Sequence, residues 1–280
     1  MALKYKTTAY RYSREHLILF LTLLLVFVVI AVTVTATACL SGLFIVGFAL
    51  LSFVLSRSHH QSLIKSAQMV TPQSMPDLTG LVQHGTARLQ PGDVEVFIAR
   101  SRMINAYTFG LSSPKVVVLY SGLFKIMDED ELLFILGHEL GHVALGHTWL
   151  NSLVGGMAGI PASWSAGMLL TMAFLWWNRA CELSADRAGL LACGKLDKAI
   201  TALIKLGAGS NALTRAGMQD AYRSIDAQDD TLMGSISETL GTHPMLIRRI
   251  EELRRYARSS QYRRLQDLVD KNFEGVNSKF

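Results

Sequence analysis

The twenty-two residues from Leu17 to Ala38, LILFLTLLLVFVVIAVTVTATA, carry no charged side chain. As an α-helix rising about 1.5 Å per residue, such a run is long enough to cross a hydrocarbon core of about 30 Å. A second apolar run, Leu40–Ser56, follows almost at once. Lys4, Lys6, Arg11 and Arg14 precede the pair, and Arg57 and Lys65 follow it. Positive residues at both outer ends fit a transmembrane hairpin whose ends are cytoplasmic. The competing reading is a cleaved secretory signal, because Ala36-Thr37-Ala38 has the small-residue pattern of a cleavage site. The length of the first run, and the second run behind it, favour the hairpin.

Composition agrees with partial membrane residence. Half of the 280 residues are hydrophobic, only 18% are charged, and the formal net charge is +5. No basic block is interleaved with aromatics, so the positive balance suits a membrane surface and excludes a nucleic-acid partner. The three cysteines, Cys39, Cys181 and Cys193, form no CxxC pair. An odd number without paired spacing excludes a disulfide scaffold and points to a reducing compartment.

The chemistry is concentrated in GHELGHVALGH, residues 137–147. Upstream, Val94–Ala99, Met103–Gly110 and Lys115–Tyr120 read as strands. Asp128, Glu129, Asp130 and Glu131 then mark a helix N-terminus, and apolar residues continue at helical spacing. On that helix His138 and His142 are four apart and share a face, so both imidazoles can reach one Zn²⁺. Glu139 is turned aside, where it can act as general base on a water. His147 lies five residues past His142, off the ligand face, and reads as structural. Gly137 and Gly141 weaken the helix intrinsically, which suggests close packing or substrate approach. A third ligand is needed. In NRACELSADRAGLL, Asn178–Leu191, Glu182 and Asp186 are four apart on a second helix. Glu182 can complete a His₂Glu set, and Asp186 can orient a ligand imidazole. The alternative for Glu182 is a solvated helix charge.

Taken together, HELGH, then CELSADRAG, then THPMLIRRI resembles the membrane zinc metallopeptidases of the HtpX and CAAX prenyl protease type. The likeness covers roughly residues 80–256. It implies one Zn²⁺ held by His138, His142 and Glu182, with Glu139 as general base and Asp186 supporting a ligand. It implies that Asn105 and Tyr107, in NAY, lie on an edge strand beside the substrate. It also places His243 near the metal, where the imidazole and the helix N-terminus opened by Pro244 could stabilise an oxyanion. The alternative for His243 is a capping residue.

Asn151–Trp177, twenty-seven residues without a charge, constrains topology. One crossing would separate Glu182 from His142 by the membrane. A hairpin would leave arms of about 13 residues, or about 20 Å of helix, too short to span. A zinc site therefore requires this stretch to be interfacial, re-entrant or a buried pair broken near Gly159-Ile160-Pro161. HtpX-type proteins are similar but carry a longer insertion here. Leu206–Gly241 reads as loops with a short helix. From Leu246, Ile247, Ile250 and Leu253 share a face, and the arginines between them read as a solvated or lipid-facing side.

The expected fold is mainly α with a small mixed β-sheet, a zincin-like domain behind an N-terminal transmembrane hairpin. The expected divisions are a basic cytoplasmic N-terminus (1–16), the hairpin (17–56), a linker (57–79), the metallopeptidase domain (80–257) and a basic tail (258–280). The expected activity is zinc-dependent endoproteolysis of membrane-associated or misfolded proteins, with the domain on the cytoplasmic side of a bacterial inner membrane. Two alternatives stay open. A CAAX prenyl protease would apply the same chemistry to a lipidated C-terminus, but it needs a larger membrane chamber. A non-catalytic membrane scaffold would not need the base Glu139.

Overall fold

The computed structural model describes residues 7–36, 40–110, 113–148, 165–209, 219 and 244–277. A 3-10 turn, Thr7–Tyr10, leads into helix α1, Glu15–Ala36, and helix α2 spans Leu40–Ser66. Of the described helices, α1 is long and apolar enough to cross a membrane, over Glu15–Val32. Its side chains are largely uncovered: Phe20 is 61% and Phe27 68% exposed. The helical region of α2 runs ten residues past the expected end of its apolar run. Leu63 and Ile64, read from sequence as linker, pack against the sheet residues Phe97, Phe109 and Val118.

The sheet is small and mixed, as expected. Its strands are β1 (Gln68–Met69), β2 (Val94–Ala99), β3 (Ala106–Phe109) and β4 (Lys115–Tyr120). They lie in the order β1-β2-β4-β3. β2 and β4 pair in parallel from Val94↔Lys115 to Ala99↔Tyr120, and β3 pairs antiparallel with β4. β2 and β4 match the sequence pattern residue for residue, whereas β3 is shorter than the apolar stretch around it. Helix α3, Pro76–Leu89, joins β1 to β2.

Behind the sheet lies a helical layer: α4 (Glu129–Ala144), α5 (Ser165–Cys193), α6 (Leu196–Ala208), α7 (Pro244–Ala257) and α8 (Ser260–Asn277). α4 is central, and its Phe134, Ile135, Leu136 and Leu140 are almost wholly buried. Removing each such side chain from water contributes about 1.5–3 kcal/mol. The expected break near Gly159 lies outside the described residues, but from Ser165 the apolar stretch is one continuous helix with Glu182 and Asp186.

Both chain ends differ from the sequence reading. Tyr10 and Glu15, expected in a basic N-terminal segment, are buried to within 1%. Residues expected in a tail form α8, with Val269 fully buried and Asp270 paired to Arg88 of α3 at 2.5 Å. Helical periodicity places apolar side chains on one face of each segment, but only the partner surface decides that these faces are covered.

Candidate active site

The site begins with how α4 starts. Asp128 caps it: its carboxylate accepts from the Glu131 N–H at 3.0 Å, and its own N–H donates to Glu131 Oε2 at 2.9 Å. This capping box satisfies two of the helix's orphan donors and fixes where the first turn begins. Lys205 of α6 donates to the same glutamate at 2.6 Å.

Glycine then lets α4 and α5 meet at backbone distance. A Cβ on Gly137 would overlap the Ala192 Cβ, and one on Gly141 would stand 2.5 Å from the Ala188 Cβ. The close packing expected of these glycines is therefore realised. It brings the α4 histidines against the α5 acids.

His138 Nε2 and His142 Nε2 lie 3.2 Å apart, and Glu182 offers oxygens 3.5 and 3.4 Å from them. Three ligands of a tetrahedral zinc with bonds of about 2.0–2.1 Å are separated by about 3.3 Å, so this donor set fits the ion. The opposite ring nitrogens are also partnered. His138 Nδ1 stands 3.0 Å from Asp186 Oδ1, and His142 Nδ1 2.9 Å from His147 Nδ1. A metal held by the two Nε2 atoms would leave each Nδ1 with the hydrogen, as donor to these partners.

Arg249 of α7 closes the acidic side. It donates to Asp186 through Nε at 2.8 Å and Nη2 at 2.6 Å, and its Nη1 stands 3.0 Å from Glu182. Burial works against ionisation of Glu182, but Arg249 and the two histidines outweigh it and hold the carboxyl well below the usual range. Asp186 is lowered by the same guanidinium against its own burial. Sequence periodicity alone puts the α7 arginines on a solvated or lipid-facing side, and for Arg249 that expectation fails. No local signal distinguishes it from its neighbours, because only the docking of α7 turns it inward.

Glu139 is 6% exposed. Burial pushes it up to about 7; Glu182 adds to this, while His142 and Arg249 oppose it. It opens into a cavity of about 360 Å³ that it shares with His138, His142, Glu182, Arg249, Asn105 and Tyr107. Asn105 directly precedes β3, and Tyr107 lies within it; β3 is an edge strand among the described residues. Burial raises the Tyr107 phenol, which stays a neutral O–H group. His243 lies outside the described residues.

His147 is not off to one side. α4 ends at Ala144, and Gly146 takes φ +77°, a left-handed turn that glycine adopts without strain. The turn returns His147 toward His142. Its other nitrogen, Nε2, lies 3.1 Å from Glu15 of α1. Burial pushes His147 down to about 4, which keeps it neutral. The helical extrapolation fails because the helix stops, and Gly146 is the signal for the stop. Glu15 has no signal, since it lies more than a hundred residues away in the chain.

Comparison with known proteins agrees with this architecture. Residues 77–257 match Peptidase family M48, and the chain belongs to that family. The chain is 28% identical to the plastoglobule-localized metallopeptidase 48 of Arabidopsis thaliana, over 81% of this chain and 70% of that one. It is 27% identical to Protease HtpX of Xanthomonas oryzae pv. oryzae, over 77% of this chain and 85% of that one. A shorter likeness, 45% identity over 20% of this chain and 13% of the other, is to a CAAX prenyl protease 1 homolog of Dictyostelium discoideum. The family indicates a protease of the metallopeptidase kind.

Proposed function

We propose that this chain is a membrane-anchored zinc endopeptidase that hydrolyses peptide bonds of membrane-associated or misfolded proteins. The observation that carries the reading is the His138–His142–Glu182 donor set, with Glu139 beside it in one cavity. Zinc held there would supply a Lewis acid that polarises the scissile carbonyl and acidifies a water. Glu139 takes the proton of the attacking water as its oxygen bonds to the carbonyl carbon. It then delivers a proton to the departing amine nitrogen as the C–N bond breaks. Asp186 and Arg249 fix the ring of His138. A substrate strand adds to the open edge of β3, with Asn105 and Tyr107 flanking it. His243 remains the proposed partner of the oxyanion.

The membrane reading rests on α1 and α2. Besides the α1 side chains, Val46, Leu50, Leu51 and Val54 of α2 are more than half exposed. The two helices contact one another, as hairpin arms would. The first half of α5 follows α1, with Thr22 Oγ1 donating to the Ala173 carbonyl at 3.2 Å. Glu15, at the start of α1, reaches the site, so the catalytic centre lies at the N-terminal end of the span, close to the bilayer surface. Positive residues there favour the cytoplasmic side of a bacterial inner membrane. A single hairpin is too little to enclose a lipidated C-terminus, which favours endoproteolysis over prenyl-protein processing.

The test uses detergent-purified wild type beside Glu139→Gln. Zinc per chain and cleavage of an unfolded membrane-protein substrate are measured together. The expected result is about one zinc per chain in both and cleavage in wild type alone. Equal chelator-insensitive cleavage in both, or no cleavage by fully loaded wild type, would overturn the proposal.

A further inference from the structure

The two histidines of the donor set are supported differently. His138 reaches a carboxylate directly, Asp186. His142 reaches one through a second imidazole: His142 Nδ1 to His147 Nδ1 at 2.9 Å, then His147 Nε2 to Glu15 Oε1 at 3.1 Å. Each carboxylate is matched by an arginine, Asp186 by Arg249 and Glu15 by Arg11. We propose that Glu15 is a positioning residue for His142, acting through His147, so that the first turn of the apolar helix α1 forms part of the metal site. The inference rests on the zinc-peptidase reading above.

The hydrogen-bond directions make the chain one-way. If His142 presents Nε2 to a metal, its Nδ1–H must donate. His147 Nδ1 must then accept, which leaves the hydrogen of His147 on Nε2. An acceptor is required beyond it, and the Glu15 carboxylate is one. His147 and Glu15 are 2% and 1% exposed, so water is not there to replace either. Glu15 is itself held in place. Ser184 of α5 donates to its second oxygen, the Tyr12 N–H donates to Ser184 Oγ at 2.8 Å, and Arg11 donates to the Leu145 carbonyl at 2.8 Å. The segment around Glu15 is thus fastened both to the end of α4 and to α5, the helices that carry the donor set.

Glu15, His147 and Cys181 also bring their donor atoms within 4.8 Å of one another. A second cation there would have to displace Arg11 from Glu15 and break the Glu15–His147 hydrogen bond. The observed contacts favour the relay.

The experiment measures zinc dissociation constants by chelator competition, in detergent, well below the unfolding temperature. Glu15→Gln is expected to weaken zinc about tenfold and His147→Phe by about 10- to 100-fold, the usual range for partners of a ligand histidine. The double variant is expected to bind no more weakly than His147→Phe alone, because both changes cut one chain. Arg11→Met/Glu15→Leu removes the ion pair without leaving an orphan charge, and serves if Glu15→Gln does not fold. Asp270→Asn, which breaks the ion pair with Arg88 and touches none of the residues that line the donor-set cavity, is expected to lower Tm and leave the zinc constant unchanged. Unchanged zinc affinity in His147→Phe and in the Arg11/Glu15 pair, or additive losses in the double variant, would overturn the inference. So would a second zinc per chain that Cys181→Ala abolishes. Wild type that takes up no zinc would overturn the zinc-site reading itself, and this inference with it.

Discussion

Gly141 of α4 faces Ala188 of α5 so closely that a Cβ on the glycine would stand 2.5 Å from the alanine Cβ. This approach is what brings the His138 and His142 imidazoles of one helix within 3.5 Å of the Glu182 carboxylate of the other. In an exposed helix, glycine to alanine is stabilising by about 1 kcal/mol. Here the sign reverses, because the added methyl meets packed neighbours. Gly141→Ala is expected to destabilise the fold by about 1–3 kcal/mol and to weaken zinc binding. Denaturant unfolding read beside zinc content checks both; a more stable, fully loaded variant would contradict the packing argument.

Arg249 carries charge compensation for two acids. Asp186 is 1% exposed, so removing the guanidinium strands a buried carboxylate. Arg249→Met is expected to cost about 3 kcal/mol of stability and to lower metal affinity. Arg249→Lys keeps the charge but not the planar fork that meets both oxygens of Asp186, so its loss is intermediate. Urea titrations and zinc competition across the three proteins give the order wild type, lysine, methionine.

Asp128 ties stability to acid pH. Burial works to raise its carboxyl, but the Lys198 ammonium and the Glu131 N–H outweigh this and hold it below the ordinary aspartate value of 3.8. A group depressed in the folded state stabilises above its unfolded pKa, and that contribution is lost as pH falls through the folded value. Stability of the metal-free protein is expected to drop below about pH 4. Asp128→Asn, which keeps a capping oxygen, should flatten part of that decline in urea titrations.

Phe27 separates a membrane helix from a soluble one. It is 68% exposed. On a water-facing surface Phe27→Arg would be harmless. In a bilayer it costs about 2.5–3.5 kcal/mol near the helix centre. The variant is expected to lose membrane association or expression, as read by carbonate extraction of membranes. Unaltered yield in the soluble fraction for both proteins would rule out the anchor.

Much of this protein is local. Charge, spacing and periodicity within a few residues define the Asp128 cap, the strands β2 and β4, the His138–His142 face and the Glu182–Asp186 face. Each depends on contacts reached within one or two turns, so the pattern is written in adjacent residues. The stop at Gly146 is equally local: a glycine after a last helical turn ends the helix and redirects the chain, here carrying His147 back to His142.

The sequence by itself therefore determined the local elements and the candidate metal-binding side chains that they carry. Tertiary structure decided which distant groups complete the site. Arg249 differs from Arg248 only in the direction that the docking of α7 gives it. Glu15 belongs by sequence to the basic N-terminal segment, and only the packing of α1 against α5 brings it to His147. A long-range partner is selected by the shape and burial of the surfaces that meet. Those depend on the whole packed core, and no window of neighbouring residues contains them.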